Sequence, residues 1–536
     1  MLNIVRQGSH RAAMAGSLLR SVPAIANAAT SAAVPRRVPG AGPAPAASIT
    51  SSASLPVPQP LLSPWIVAAG KRRSQVADYF YQSRQPGTDK AIIVFYGSSL
   101  MHSAGPVFHP FSQDPTFLYL TGMFAPDCLV ALEVDFTQEG KLTSTAFMPP
   151  RDSHSTLWEG ERIGLEGARE DYGFDQALPV TEFIPYMTRL LSDAPGGLKS
   201  LMLYMQQPDH AGGAGSPQAK NYELVSSLLL SLETKFSPAP QFFNVSPAIE
   251  RLRVNKDPLE RTLIEEACFI GGAAMRDVMK FGADRLRAGR PLYERHLATQ
   301  MLHSAALNGG ETLSYVPVVA ANGRSCVIHN VRNDQPLKDT DMVLMDAGAF
   351  FGGYRSDITR TWPVGGRFVR GSPQLDVYQA VLEVQEKVIE SISPGMKMRD
   401  LLETSTTLLS EQLVQLGISP RHIDQYYPHD IGHFLGLDLH DTPKYQHLPL
   451  QPGMCLTIEP GLYFRDDDHT VPEAFRGIGV RIEDNIFLDE VDQSTQDFTV
   501  TNLTAGVPKR VEDIERHIAE GVYSYDEPID TDACSL

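Results

Sequence analysis

The sequence predicts an α/β (α+β) chain, with an N-terminal α/β unit followed by a second unit of strands between long helices. Two patterns carry this expectation. Between about Trp65 and Ser246 the strand-like runs AIIVFYG, CLVALEV and SLMLYMQ alternate with helical patterns such as TEFIPYMTRLL. From Arg251 onward a long helical pattern is followed by Gly-punctuated strands, two further helices and a last strand-rich stretch. At 536 residues the chain has room for two or three cores. Its 42% hydrophobic and 20% charged content is ordinary for a soluble globular protein. No run of about 18 apolar residues indicates a membrane-spanning helix.

Taken in order, the first stretch is basic. Residues 1–77 hold no Asp or Glu, but carry Arg6, Arg11, Arg20, Arg36, Arg37, Lys71, Arg72 and Arg73. Leu2, Val5, Ala12 and Leu19 share one face if this stretch is helical, with arginines off it. That composition is what a mitochondrial targeting segment looks like. The stretch Gly40 to Pro64 is rich in Pro, Ala and Ser and reads as an unstructured spacer. Removing the segment near residue 70, with Lys71, Arg72 and Arg73 counted in it, takes the net charge from −17 to about −25. So acidic a body argues against phosphate-backbone binding and favours a substrate that presents an amine. The expected limits are therefore 1–64 for targeting segment and spacer, 65–250 for the first unit, 251–515 for the second and 516–536 for a tail.

The second unit opens with Asp257-Pro258, an N-cap acid before a first-turn proline. Leu263, Ala267, Ile270, Ala274 and Val278 then mark one apolar helix face, with Gly282 as its expected stop. Helices return at QLDVYQAVLEVQEKVIESI and MRDLLETSTTLLSEQLVQLG. A closing helix is expected from about Pro508. The five cysteines are scattered without CxxC spacing, which reads as free thiols.

The chemistry begins at VLMDAGAFFGGYRSDITRTW. If Gly352-Gly353 forms a two-residue hairpin turn, residue 348 faces residue 357. Asp346 and Asp357 are then diagonal neighbours on one face, within reach of a common cation. Read alone, the pair is equally an ordinary strand-end turn plus a local ion pair with Arg355. YYPHDIGHFLGLDLHD adds His429, His433 and His440 among helix-breaking glycines. LTIEPGLYF and GVRIEDNIF add Glu459 and Glu483 in apolar strand contexts, the latter near Arg481. Four acids in apolar settings are costly without positive charge.

In this order and setting, Asp346, Asp357, His433, Glu459 and Glu483 resemble the five metal ligands of the pita-bread metallopeptidases, within them the aminopeptidase P group. MDAGAFFGGYRSDITRTW looks like that family's double-aspartate hairpin, HDIGHFLGLDLHD its histidine segment, and IEPGLY and VRIED its glutamate strands. FLYLTG and LWEGERIGLEGAREDYG resemble its N-terminal domain. The resemblance implies a C-terminal pita-bread catalytic domain binding two divalent metal ions; the oxygen-rich donor set favours manganese, magnesium or iron-like ions, and Mn2+ is the expected one. Asp357 and Glu483 would bridge the ions, Asp346 complete one, and His433 with Glu459 the other. Glu459 would act as general base. His329, His429 and His440 match histidines that contact substrate, although His429 beside Asp430 also reads as a structural pair. Arg481 would orient a neighbouring carboxylate, and Tyr463 is a candidate for the cleft wall. The segment VFHPFSQDPTFLYLTG departs from the group by lacking a tyrosine-arginine pair ahead of Gln113.

A mononuclear zinc site on HDIGH is disfavoured, because the helix it needs would contain Gly432 and Asp430 replaces the usual Glu. Non-catalytic and creatinase-like members lose ligands that this chain keeps, and methionine aminopeptidases lack the first unit. Prolidase shares the architecture. Within the aminopeptidase P group two activities remain. One is cleavage before a penultimate proline. The other is removal of a single bulky residue (Tyr, Leu or Phe) from imported mitochondrial proteins already cut by the processing peptidase. The targeting segment favours the second, in the mitochondrial matrix. The expected partners are peptide N-termini and a second copy in a homodimer, with neither nucleic acid nor integral membrane contact.

Overall fold

The computed structural model describes residues 59–104, 107–194, 196–206, 219–236, 240–491 and 497–520. The targeting segment and Cys534 lie outside these residues.

The first unit is built on a six-stranded mixed sheet. Its order is Gln176–Pro179, Lys141–Met148, Leu129–Asp135, Lys90–Tyr96, Leu201–Met205 and Phe243–Asn244. Lys90–Tyr96 runs antiparallel to Leu129–Asp135 and parallel to Leu201–Met205. Its unbroken apolar run fits a strand covered on both faces. Ile93 and Phe95 join the cluster of Trp65, Val76 and Phe80 from the first helix, Gln59–Gln82. Ile92, Val94 and Tyr96 meet Phe183 and Met187, from the helix Phe183–Ser192, and Leu228 and Leu232 beyond them.

In the second unit Met342–Asp346 lies between Val318–Ala321 and Thr359–Pro363. A second strand group pairs Cys455–Ile458 with Asp484–Glu490, and Gly461–Phe464 with Ile478–Arg481. The groups join where the Glu483 amide donates to the Thr359 carbonyl at 3.0 Å. The Thr361 hydroxyl adds a 2.9 Å bond to the Arg481 carbonyl. Helices Pro258–Arg287 and Glu294–Leu307 pack on the first group, and Pro373–Ser391 packs on the second and on Met398–Gln415. No helix among the described residues is long and apolar enough to cross a membrane.

The structure differs from expectation in four places. The helix opened by Asp257 passes Gly282 and runs to Arg287. Gly282 serves close packing instead, since a Cβ there would lie 3.3 Å from Leu297 Cδ2. The first helix begins at Gln59, inside the expected spacer, and buries Trp65 and Ala69. Arg72 and Arg73 belong to the fold rather than to a basic leader. Arg72 pairs with Asp257 at 2.8 Å and Glu260 at 3.5 Å, and Arg73 donates to the Leu120 carbonyl at 2.9 Å. The closing helix is Val511–Ala519, so the limit at residue 515 cuts it between the buried Ile514 and Ile518. Cys128, Cys268 and Cys455 are buried free thiols.

Candidate metal centre and substrate cleft

The hairpin forms as its glycines dictate. Gly352 and Gly353 have φ of 57° and 90°, the pair of left-handed conformations that a type I′ turn needs. Phe350 faces Arg355 and Asp346 faces Thr359, so the register places residue 348 opposite Asp357. Asp346 and Asp357 therefore share a face. Gly271 of the long helix lets the hairpin approach from behind, where a Cβ would meet Ser356 Oγ at 2.4 Å.

The local ion pair open to Arg355 does not form. Its guanidinium donates to the carbonyls of Leu437 at 3.1 Å and Ser314 at 2.5 Å. Asp346 is held by Arg481, whose Nη2 donates to Oδ2 at 2.6 Å. The Tyr315 hydroxyl lies in hydrogen-bond contact with Oδ1 of both aspartates. It has one proton, so it serves one aspartate at a time.

His433 reaches the same point from the second strand group. Its amide donates to Thr457 Oγ1 at 3.0 Å, and its carbonyl accepts from the Thr457 amide at 2.8 Å. Gly432 permits this approach, because a Cβ there would lie 2.0 Å from the Thr457 carbonyl oxygen. Nδ1 sits 3.0 Å from the Phe434 carbonyl, which places the ring proton on Nδ1 and turns Nε2 inward. Nε2 is 3.3 Å from Asp357 Oδ2 and 3.7 Å from Glu459 Oε1. Glu459 follows Cys455–Ile458 and is fixed by its amide on the Ile431 carbonyl at 2.8 Å.

Glu483 completes the cluster from below. Oε2 accepts from Thr359 Oγ1 at 2.8 Å, while the buried Oε1 has no hydrogen-bond partner among the described residues. One donor atom each from Asp357, His433 and Glu483 lies within 4.8 Å of the others. An orphaned buried carboxylate oxygen among hard donors is what a divalent cation satisfies. The five residues fit two such ions in donor chemistry, with Glu459 3.7 Å from His433 Nε2 and Asp346 sharing the Tyr315 hydroxyl with Asp357.

The electrostatics carry the same message. Burial pushes Asp346 up to about 6, against the pull of Arg481. Burial also pushes Glu459 up to about 7, against His433 and Arg481. Glu483 is driven well above the carboxylate range by burial and by the charges of Asp357 and Glu459. Burial opposes the charge of Asp357 too, but the His433 hydrogen bond holds it below its ordinary value. His433, disfavoured by burial, is raised to about 9 by Asp357 and Glu459. The acids compete for positive charge, which among the described residues Arg481 and His433 supply.

The other histidines surround this centre. His440 is exposed, with its ring 4.2 Å from that of His433. His329 is also exposed, and its charge acts on both His429 and His440. His429 meets the main-chain carbonyl of Asp430 at 2.8 Å rather than its carboxylate. Its Nε2 lies 2.8 Å from the Tyr463 hydroxyl, which accepts from Arg481 Nη1 at 2.8 Å. Burial and Arg481 hold His429 down at about 4. The neutral ring therefore accepts from Tyr463, giving a directed relay from Arg481 through Tyr463 to His429.

Sequence reasoning missed Tyr315, Thr359, Thr457 and Asn485. Asn485 clamps the Asp357 backbone, accepting from its amide at 3.0 Å and donating to its carbonyl. Thr359 could have been found, because it lies two residues from Asp357 on the same strand face. Gln113, where the group's pattern is broken, holds Met123 and Ala125 carbonyls at 3.0 and 2.8 Å.

Residues 262–490 match metallopeptidase family M24, and residues 69–197 match the aminopeptidase P N-terminal domain. Human Xaa-Pro aminopeptidase 3 is 34% identical over 444 residues, covering 81% of each chain. The chain belongs to metallopeptidase family M24. Its two units are the aminopeptidase P N-terminal domain and the pita-bread catalytic domain, and it is a metal-dependent aminopeptidase. Intermediate cleaving peptidase 55 of Saccharomyces cerevisiae is 31% identical, over 86% of this chain and 88% of that one. Escherichia coli aminopeptidase P with the inhibitor Pro-Leu superposes with a TM-score of 0.73 at 28% identity, over 85% of this chain and 98% of that one. Proline aminopeptidase P II from Yersinia pestis gives the same TM-score and identity, over 85% of this chain and 100% of that one.

Proposed function

We propose that this aminopeptidase removes one bulky N-terminal residue (Tyr, Leu or Phe) from mitochondrial precursors already cut by the processing peptidase, in the matrix. The carrying observation is the buried cluster of Asp357, His433 and Glu483 with its orphaned Glu483 oxygen. Asp346, Asp357, His433, Glu459 and Glu483 would hold two divalent ions of the class that hard oxygen donors prefer, with Mn2+ the expected one. When bound, such ions supply Lewis acidity toward a water and a peptide carbonyl.

The chain's own groups do the rest. Glu459 would act as general base, taking a proton from the attacking water and returning it to the leaving amine. His329 and His440 face the substrate, where ring N–H groups donate to its carbonyl oxygen, while His429, both of whose ring nitrogens are engaged by Asp430 and Tyr463, shapes the cleft wall beside them. Arg481 and Tyr463 hold Asp346 and His429 in place. Similarity to the intermediate cleaving peptidases of Saccharomyces cerevisiae and Arabidopsis thaliana supports the trimming role, as does the acid-free basic start of the chain.

The relatives described as Xaa-Pro aminopeptidases favour a second reading, cleavage before a penultimate proline. Peptides beginning Tyr-Ala or Leu-Ser, assayed beside peptides beginning Xaa-Pro, separate the two. Release of the bulky residue without proline supports the trimming role, whereas cleavage only before proline overturns it.

A further inference from the structure

The hairpin carries one more charged side chain on the face that holds Asp346 and Asp357. Arg355 faces Phe350 and shares this face with Asp357, one pleat nearer the turn and about 7 Å along the strand. Its guanidinium lies 5.0 Å over the Phe350 ring. The two carbonyls it binds belong to walls of the metal centre. Leu437 lies between His433 and His440, and Ser314 adjoins Tyr315. Both acceptors are neutral, and among the described residues no carboxylate forms an ion pair with Arg355. Nearby Asp438 is engaged by Arg253 at 2.6 Å. Arg355 Nη2 has no hydrogen-bond partner among the described residues, and the half-buried side chain leaves it open to solvent. A half-buried guanidinium held only by neutral acceptors keeps its charge and a free donor for an anion.

We infer that Arg355 receives a carboxylate of the peptide substrate, two or three residues along the chain from the metal centre. An extended peptide spans about 3.3–3.6 Å per residue, which sets that reach. The inference rests on the aminopeptidase reading above. The carboxylate is either the C-terminus of a short peptide or an acidic side chain in a longer one.

Two peptide pairs test it at low salt, each starting with Tyr-Ala. One pair differs only in a free against an amidated C-terminus after the third residue. The other has an amidated end and differs only in Glu against Gln at the third residue. The expected result is a kcat/KM about fivefold higher for the acid in at least one pair, the scale of a partly shielded ion pair. Arg355→Gln brings that ratio to about one, and the responding pair identifies which carboxylate is read. Equal rates within both pairs for the wild-type chain, which needs no variant, overturn the inference. So does a preference that survives in Arg355→Gln. Failure to cleave any of the four peptides overturns the trimming reading, and the same two pairs beginning Xaa-Pro then decide the inference by the same criterion.

Discussion

Arg481 Nη2 donates to Asp346 Oδ2 at 2.6 Å, and its other nitrogens reach Tyr463 at 2.8 Å and Thr359 at 3.1 Å. One buried guanidinium thus sets the positions of an acid, a phenol and a threonine. Lysine keeps the charge but has no planar fork to span three acceptors. Arg481→Lys is expected to lower kcat/KM by about 10- to 100-fold, the usual cost of losing a group that orients a ligand. Activity assays beside metal analysis check this, and an unchanged kcat/KM would remove Arg481 from the account.

Glu483 leaves Oε1 without a protein partner in a cluster of acids. A divalent ion that binds there stabilises the folded chain by mass action, about 2.7 kcal/mol at one hundred times its Kd. Adding Mn2+ to chelator-treated protein should raise Tm by several degrees. Glu483→Gln keeps the side-chain shape but loses the anionic donor, and should abolish most of that rise. Differential scanning fluorimetry of both proteins with and without Mn2+ gives the answer.

The first helix is tied to the hairpin of the metal centre. Trp65 is 1% exposed and lies 6.0 Å, ring to ring, from Tyr354, which donates to Glu260 at 2.8 Å. Arg72 caps the arrangement through Glu260 and Asp257. A chain that starts at residue 71 loses Trp65 and should be about 3–5 kcal/mol less stable than one that starts at residue 59. Equal urea midpoints would show that the start of the helix is dispensable. The same argument places any targeting cut upstream of Trp65 rather than near residue 70.

Glu311 accepts from the Gly352 amide at 2.8 Å and braces the hairpin turn. Burial raises its pKa from 4.5 to about 7, and that hydrogen bond only partly offsets the shift. The folded chain therefore holds this proton more tightly than the unfolded one. Its contribution is fully present below pH 4.5 and is lost as pH rises through about 7. Glu311→Gln keeps an acceptor for Gly352 and should raise stability at pH 8 by up to about 3 kcal/mol, with little effect at pH 4. Urea midpoints across that range check the slope, and a pH-independent difference would contradict it.

What the sequence made legible follows from local rules. Two adjacent glycines set the turn, and alternation then placed Asp346 and Asp357 on one face. The apolar run of Lys90–Tyr96 and the Asp257-Pro258 cap were readable for the same reason. Tyr315, Thr457 and Asn485 were not, because they reach the ligands across strand pairings that no spacing reveals. Gly282 misled, since a helix glycine that admits Leu297 looks the same in sequence as one that ends a helix. Arg72 and Arg73 misled as part of a basic run, because their partners, Asp257 and Glu260 for Arg72 and the Leu120 carbonyl for Arg73, lie far along the chain.

The central claim is that Asp346, Asp357, His433, Glu459 and Glu483 hold two metal ions on which turnover depends. Elemental analysis of the purified chain after Mn2+ loading, with peptide turnover measured on the same sample, tests it most directly. The account predicts two ions per active chain, and loss of both metal and turnover in Asp357→Ala with the fold retained. Full turnover by metal-free protein, or wild-type turnover by Asp357→Ala, would contradict it.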